Sequence, residues 1–399
     1  MYNTLLVNEE NKIPLKYLEK LKLISFKENN NTYSLEEETY NAYLKLKKKE
    51  KLTIISGYSN KGLNSYETTG KVLKIKEKID KEVLAKYGFI KMGKYIRYVG
   101  LVPAKIMYEN KLKLEEYLNG SYAILVNKKR DMTSFDVVSK ISKLFGIKKA
   151  GHTGTLDPLA EGLMVILLGK ATRLSLDITS KYKEYIAGVY LGYETDTYDI
   201  TGKTTKVKEV PKNIDIEKTL STYNKTYMQE VPIYSAVKVN GKKLYEYARQ
   251  NLEVSLPKKE VTIKDIKLLA EEKNMFTFKA TVSKGCYIRS LIRDISISLN
   301  TLGTMTSLKR TKIDNLKLKD AYTIDEIEKA KFKLLEIDTL FSYPKIKVNK
   351  ELLSKIKNGS KLENIYNIED KVIFIDNKSN VKAIYYNDNN ILKVYKNLI

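Results

Sequence analysis

The side chains most used for metal and redox chemistry are nearly missing from this chain, which has one histidine, His152, one cysteine, Cys286, and no tryptophan in 399 residues. A single cysteine rules out an internal disulfide and any cysteine-clustered zinc site. A single histidine excludes zinc sites built on several histidines and leaves no spare imidazole for general-base work. Long apolar runs are missing too. The longest, LMVILL from Leu163 to Leu168, is far short of the roughly 20 residues needed to cross a bilayer, so no membrane span is expected. The amino-terminal MYNTLLVNEENKIPL lacks the basic start and apolar segment of a secretory signal, and a cytoplasmic location is the expectation. No internal repeat is visible. Chemistry must therefore rest on carboxylates, hydroxyls, tyrosines, lysines or arginines.

What the chain does have is positive charge. Lysine and arginine number 72 against 48 aspartate and glutamate, a formal net charge of +24. Such an excess points to a polyanionic partner held by phosphate contacts and counterion release, with nucleic acid the leading class. A compositional bias toward Lys, Asn and Tyr from an AT-rich genome would give the same excess, so motifs have to decide. With 43% hydrophobic residues the chain can bury a substantial core, and its length predicts two or three domains.

A boundary is expected near Asn119-Gly120, between LKLEEYL (Leu112 to Leu118), which reads as a closing helix, and the apolar strand YAILV (Tyr122 to Val126). FTFKATV (Phe276 to Val282) alternates like a half-buried strand, whereas Ile288, Leu291, Ile292, Ile295 and Leu299 recur at helical spacing. Thr133 or Ser134 can cap a helix bearing Phe135, Val138, Ile141 and Phe145 and ended by Gly146. From about Pro344, the short runs Val372 to Ile375 and Val381 to Tyr386, separated by Asn and Asp turns, predict a small β module. The fold class is α+β.

The chemistry concentrates in GHTGTLDPLAEG, residues 151–162, which contains three glycines, the one histidine and Asp157. Gly151 and Gly154 permit turns closed to other residues, and Pro158 biases Asp157 toward an extended conformation, so the aspartate is expected in a loop.

This stretch resembles the catalytic motif of the TruB family of tRNA pseudouridine-55 synthases. Upstream, LVNKKRDMTSFDVV from Leu125 is similar to the family's opening block. Downstream follow KEYIAGVYLGYETDTYD from Lys183, QEVPIYSAVKVNGKKLYEYAR from Gln229, VSKGCYIRSLIRD from Val282 and LKRT from Leu308. The resemblance runs from about Tyr122 to the end. It implies an isomerase that flips a uridine out of the T-arm stem-loop of tRNA, breaks its glycosidic bond and rejoins the base through carbon 5, with no cofactor and no metal. By the same resemblance Asp157 is the nucleophile, Arg289 its ion-pair partner, and Tyr185 the tyrosine packed on the flipped base. His152, Lys128, Tyr234, Tyr287 and Lys309 are substrate-binding positions, and Lys238 and Tyr245 sit in matching blocks. A carboxylate can form a covalent intermediate, and a buried arginine beside it would keep it ionised. The chain departs from the family pattern at Lys129 and Asp131, where proline and glycine are usual, at Val231 in place of the first of two prolines, and at Cys286 in place of threonine. These departures bear on loop rigidity and leave the proposed nucleophile untouched.

The first 118 residues resemble a contracted D-alanyl-D-alanine carboxypeptidase of the VanY type, through LVNEENKIPLKYL, ISGY at Ile55 to Tyr58, AKYGFI, IRYVG and LKLEEYL. Alignment with that family's zinc motifs puts Glu67 and Lys74 at ligand positions, with Met92 and Tyr95 replacing the base and the last ligand. Without those groups neither metal capture nor water activation is possible.

The expected organisation is a degenerate peptidase-like α+β domain over residues 1–118, a pseudouridine synthase catalytic domain with a mixed or antiparallel sheet over 119–343, and a small PUA-like RNA-binding β module over 344–399. The expected partner is tRNA and the expected state a monomer. The alternative function is a tRNA-binding or folding protein on the same scaffold with weak catalysis; a cell-wall peptidase is opposed by the missing ligands.

Overall fold

The computed structural model describes residues 23–28, 31–52, 54–58, 71–93 and 95–399. LVNEENKIPLKYL and Glu67 lie outside them. The chain forms two compact units: Met1–Gly120 with Lys140–Lys148 and Asp325–Phe332, and Ser121–Ser139 with Lys149–Ile324 and Lys333–Ile399.

In the first unit a four-stranded antiparallel sheet runs in the order Ile54–Tyr58, Val72–Ile75, Tyr95–Tyr98, Phe89–Met92. The helix Glu37–Glu50 carries Glu37 and Glu38 in its first turn and Lys47, Lys48 and Lys49 in its last, the charge order that the helix dipole favours. It buries Thr39, Tyr43 and Leu46, and Tyr43 and Leu46 share a core with Leu35, Leu73, Leu84, Phe89 and Ile96. The expected closing helix is shorter than its pattern. Lys113 is extended, with φ −79° and ψ 161°, and stands as the N-cap, its N–H donating to Glu116 Oε2 at 2.8 Å, so the helix covers only Leu114–Leu118.

The second unit is built on a mixed nine-stranded sheet. Its main strands are β1 (Ser121–Lys128), β2 (Glu161–Gly169), β3 (Lys183–Leu191), β4 (Thr226–Glu230), β5 (Lys258–Glu272), β6 (Met275–Val282) and β7 (Gly303–Ile313). They lie in the order β4-β5-β6-β3-β7-β2-β1, with Ala150–His152 paired to β2 and Leu316–Lys317 to β7. Pairing along this path is antiparallel except between β2 and β7, whose parallel register sets Lys309 opposite Glu161 and Arg310 opposite Gly162. Strand β2 is apolar almost throughout and buried along its length, as a central strand covered on both faces requires. Strand β6 buries Phe276, Phe278, Ala280 and Val282 and turns the residues between them outward.

Two helices flank the site: α1 (Ser134–Phe145), whose first turn belongs to this unit, and α2 (Ile288–Ser298). Helix α2 buries Ile288, Leu291, Ile292 and Ile295, the expected stripe. Helix α1 departs from expectation. Thr133 is its cap, its Oγ1 accepting from the Asp136 N–H at 3.0 Å while Asp136 Oδ2 accepts from the Thr133 N–H at 2.9 Å. Ser134 is turned inward instead. The buried face then runs through Ser134, Val137, Ile141 and Phe145, and Phe135, one step round the helix, is 75% exposed.

The carboxyl-terminal sheet has the strand order Lys345–Lys347, Lys371–Ile375, Val381–Asp388, Ile391–Asn397, Leu362–Glu363. Alternation divides its residues between two cores. Val372 and Phe374 pack with Ile356 of the helix Lys350–Lys357. Ile373 and Ile375 join Ala123, Leu125, Leu163 and Val165 of β1 and β2, so this small sheet is fastened to the large one by shared apolar surface.

Candidate active site

The loop between Ala150–His152 and β2 carries Asp157, and each side of it is held by a different part of the unit. Before Asp157, the Ser134 hydroxyl accepts from the Leu156 N–H at 2.8 Å and donates to the Leu156 carbonyl at 2.9 Å. After it, the Pro158 carbonyl accepts from the Asp131 N–H at 2.8 Å and from Lys128 Nζ at 3.2 Å. Lys128 is fully buried, and its ammonium also donates to the carbonyls of Met132 and Lys129. Burial pushes the Lys128 ammonium down to about 8, while Asp157 and other nearby carboxylates pull it back up. It holds the loop as a cation amid carbonyl oxygens.

Arg310 supports the loop from below. It is 1% exposed, and its guanidinium donates to the carbonyl of Leu163 at 2.7 Å, of Gly154 at 3.1 Å and of Thr155 at 3.5 Å. The strand register places Arg310 opposite both Gly162 on β2 and Tyr185 on β3. Gly162 is required here: its φ is +107°, and a Cβ would lie 2.4 Å from the Arg310 carbonyl oxygen. A backbone so close to its neighbour leaves no room for any other residue.

Asp157 meets Arg289 at this loop. Arg289 Nε lies 3.0 Å from Asp157 Oδ2, with the arginine side chain 6% exposed and the aspartate 37% exposed. The rest of the guanidinium is fixed by the carbonyls of Thr197 at 2.9 Å and Tyr234 at 3.1 Å. The arginine is thus a rigid, desolvated cation, and the aspartate keeps one side open to solvent.

The other expected residues surround this pair to different degrees. Tyr287 caps the start of α2; burial raises its phenol pKa, and Arg289 and Asp157 perturb it in opposite senses, which places it within electrostatic reach of the pair. Its N–H donates to Gln229 Oε1 at 2.8 Å. Tyr185 is 8% exposed at the Arg310 level of β3. The His152 Nδ1 accepts from the Gly154 N–H at 3.2 Å, which leaves Nε2 to carry the proton; burial and then Arg310 lower its pKa, so it is a neutral imidazole at neutral pH. Tyr234 lends its carbonyl to Arg289, and its hydroxyl points toward Asp196 Oδ2 at 3.5 Å. Lys309 pairs with Glu161 at 2.9 Å on the open side of the β2–β7 register. Lys238 lies on a two-stranded ribbon and Tyr245 on the helix after it, where Lys243 and Arg249 approach the Tyr245 ring and the Tyr245 N–H donates to the Ser235 carbonyl at 3.1 Å.

The sequence names Ser134 only as a candidate helix cap and leaves Lys183 and Arg310 without a role, although each stands inside a quoted block. The signal for Arg310 was its place beside Lys309 in LKRT. The signal for Ser134 was a second candidate cap next to Thr133. Lys183 is 7% exposed, donates to the carbonyls of Thr179 and Lys181, and is pushed down to about 8 by burial, with Arg310 and Lys284 acting in the same direction. Among the described residues, no three His, Cys, Asp or Glu side chains come together as metal ligands would.

Comparison with known proteins places these residues in context. The profile of the TruB family pseudouridylate synthase N-terminal domain matches residues 142–288. A tRNA pseudouridine synthase B of Fusobacterium nucleatum is 42% identical over 284 residues, covering 68% of this chain and 98% of that protein. The Bacillus subtilis protein of the same name is 42% identical over 255 residues, 60% of this chain and 82% of that one. In fold, the chain is similar to one in an H/ACA ribonucleoprotein bound to a substrate RNA containing 2′-deoxyuridine, with a TM-score of 0.54 and 21% identity over 73% of this chain and 88% of the other. A chain of a Cbf5-Nop10-Gar1 complex gives the same TM-score at 22% identity over the same shares.

Proposed function

The chain belongs to the TruB family and is a tRNA pseudouridine synthase, an isomerase, and on that premise we propose that it converts uridine 55 of the T-arm loop to pseudouridine with Asp157 as nucleophile. The observation that carries the assignment is the 3.0 Å pair of Asp157 with a buried Arg289 whose other nitrogens are fixed by two carbonyls. A cation so placed fixes the orientation of the carboxylate and offsets its charge.

The reaction is balanced within the nucleotide. The bond from ribose carbon 1 to nitrogen 1 of the base breaks, the base turns, and a bond forms from that ribose carbon to carbon 5. Carbon 5 loses a proton and nitrogen 1 gains one, so no cofactor or metal enters. Turning out a loop base costs less than opening a duplex. Tyr185 packs on the everted ring, an aromatic contact worth about 1–3 kcal/mol. His152, neutral and donating from Nε2, occupies the space the base vacates, while Lys128, Tyr234, Tyr287 and Lys309 shape the pocket and its approach.

In the same proposal the protein acts as a cytoplasmic monomer. Residues 344–399 are a PUA-like RNA-binding module, and residues 1–118 are a degenerate peptidase-like domain kept for binding or scaffolding. Lys74, Met92 and Tyr95, which stand where the resemblance puts catalytic groups, lie on neighbouring strands of one sheet; none of them is a zinc ligand of the usual kind.

The test compares the protein with its Asp157→Asn variant on an unmodified tRNA T-arm. Pseudouridine at position 55 from the parent alone supports the assignment. An active variant removes Asp157 from the mechanism, and binding without conversion by either protein favours a tRNA-binding role.

A further inference from the structure

A cavity of about 990 Å³ opens in the N-terminal unit, lined by the hairpin Phe89–Met92 and Tyr95–Tyr98 and by the helix Leu101–Glu109. Its inner wall is apolar. Phe89, Ala104 and Met107 are buried there, and Ile90, Met92 and Leu112 continue the wall outward. Lys81, Lys91, Arg97, Lys111 and Lys113 also line it. Glu109 is the carboxylate among its described lining residues, and it already forms an ion pair with Lys105.

Its volume falls within the range of roughly 300–1,000 Å³ typical of small-molecule sites. Apolar walls whose described lining carries more lysines than carboxylates have a definite complement. We propose that this cavity binds an amphipathic anion of small-molecule size, an apolar chain or ring system ended by a carboxylate, sulfonate or phosphate. The apolar body displaces water from the inner wall, and the anionic end remains with the lysines at the exposed positions 81, 91, 111 and 113. Tyr108, 41% exposed, also lines the cavity and offers an aromatic face, so unmodified tRNA is a competitor in the test.

The test titrates the full-length protein with 8-anilinonaphthalene-1-sulfonate, followed by fluorescence. One saturable site is expected, from which dodecanoate displaces the probe and dodecyltrimethylammonium does not. Reversing two rim charges, Lys81→Glu with Lys91→Glu, should weaken probe binding about tenfold. The equivalent reversal on the neighbouring helix, Lys48→Glu with Lys49→Glu, should leave it unchanged. The far-UV circular dichroism and melting temperature of the rim variant should equal those of the parent, which shows that the N-terminal unit is folded. The proposal is overturned if the cationic detergent competes as well as the anion, if both double variants lose binding alike, if unmodified tRNA displaces the probe better than dodecanoate, or if no saturable binding occurs.

Discussion

Ser134 makes both hydrogen bonds of its hydroxyl to one residue, Leu156, taking the N–H at 2.8 Å and giving to the carbonyl at 2.9 Å. The side chain is 4% exposed, so water cannot replace it. Leu156 directly precedes Asp157, and Ser134 is therefore a positioning residue for the carboxylate. In Ser134→Ala two buried backbone groups lose their partner, at about 1–3 kcal/mol each. Turnover should fall by about tenfold or more, as expected for a small misplacement of a reacting group, with a smaller change in KM. Steady-state kinetics decide: a rise in KM at unchanged kcat would show that Ser134 serves RNA binding instead.

Arg289 offers a sharper test because its three partners cannot all be met by an ammonium. In Arg289→Lys one nitrogen replaces the fork that reaches Asp157, Thr197 and Tyr234. Activity should drop by at least about 100-fold while T-arm binding persists. Near-parental turnover by the lysine variant would reduce the pair to a simple charge interaction.

The buried Lys183 gives stability a pH dependence. Burial pushes its ammonium from the ordinary 10.5 down to about 8, so between these values the unfolded chain binds a proton that the folded protein has released. Stability contributed by this residue therefore rises with pH across that window and is lowest below about 8. Melting temperature measured from pH 8 to 10 should climb more steeply for the parent than for Lys183→Met. Equal slopes would refute the depressed value.

Gly162 should tolerate no side chain. Gly162→Ala drives a Cβ against the Arg310 backbone at a positive φ, separating β2 from β7 at the register that supports the Asp157 loop. Loss of soluble folded protein, or a melting temperature lower by 10 °C or more by an order-of-magnitude reckoning, is expected. An alanine variant with parental stability would mean that the two strands can move apart.

Binding of the T-arm should weaken steeply with salt, since a chain of net charge +24 releases counterions from RNA. The logarithm of affinity should fall linearly with the logarithm of salt, by about 0.7 per phosphate contacted for unpaired RNA. A flat response in a filter-binding or fluorescence titration would exclude an extensive phosphate interface.

The sequence alone determined those features of the protein that are local. Strand β6 and helix α2 were legible because period 2 and period 3.6 are written in neighbouring residues. The loop around Asp157 was legible because Pro158 restricts the residue before it and glycine frees the backbone, although Gly151, without a left-handed φ, lies in the strand Ala150–His152 and not in a turn. The charge excess and the order of the blocks needed no fold at all. Only the tertiary structure decided what depends on distant segments meeting. The pairing of Arg289 with Asp157 was reached in advance only through the family resemblance; that Arg310 is buried beneath the loop follows from the parallel register of β2 with β7, and that Ser134 turns inward and leaves Phe135 to solvent follows from its bonds to Leu156. Such pairings are set by the packing of whole elements, and no window of residues contains the information.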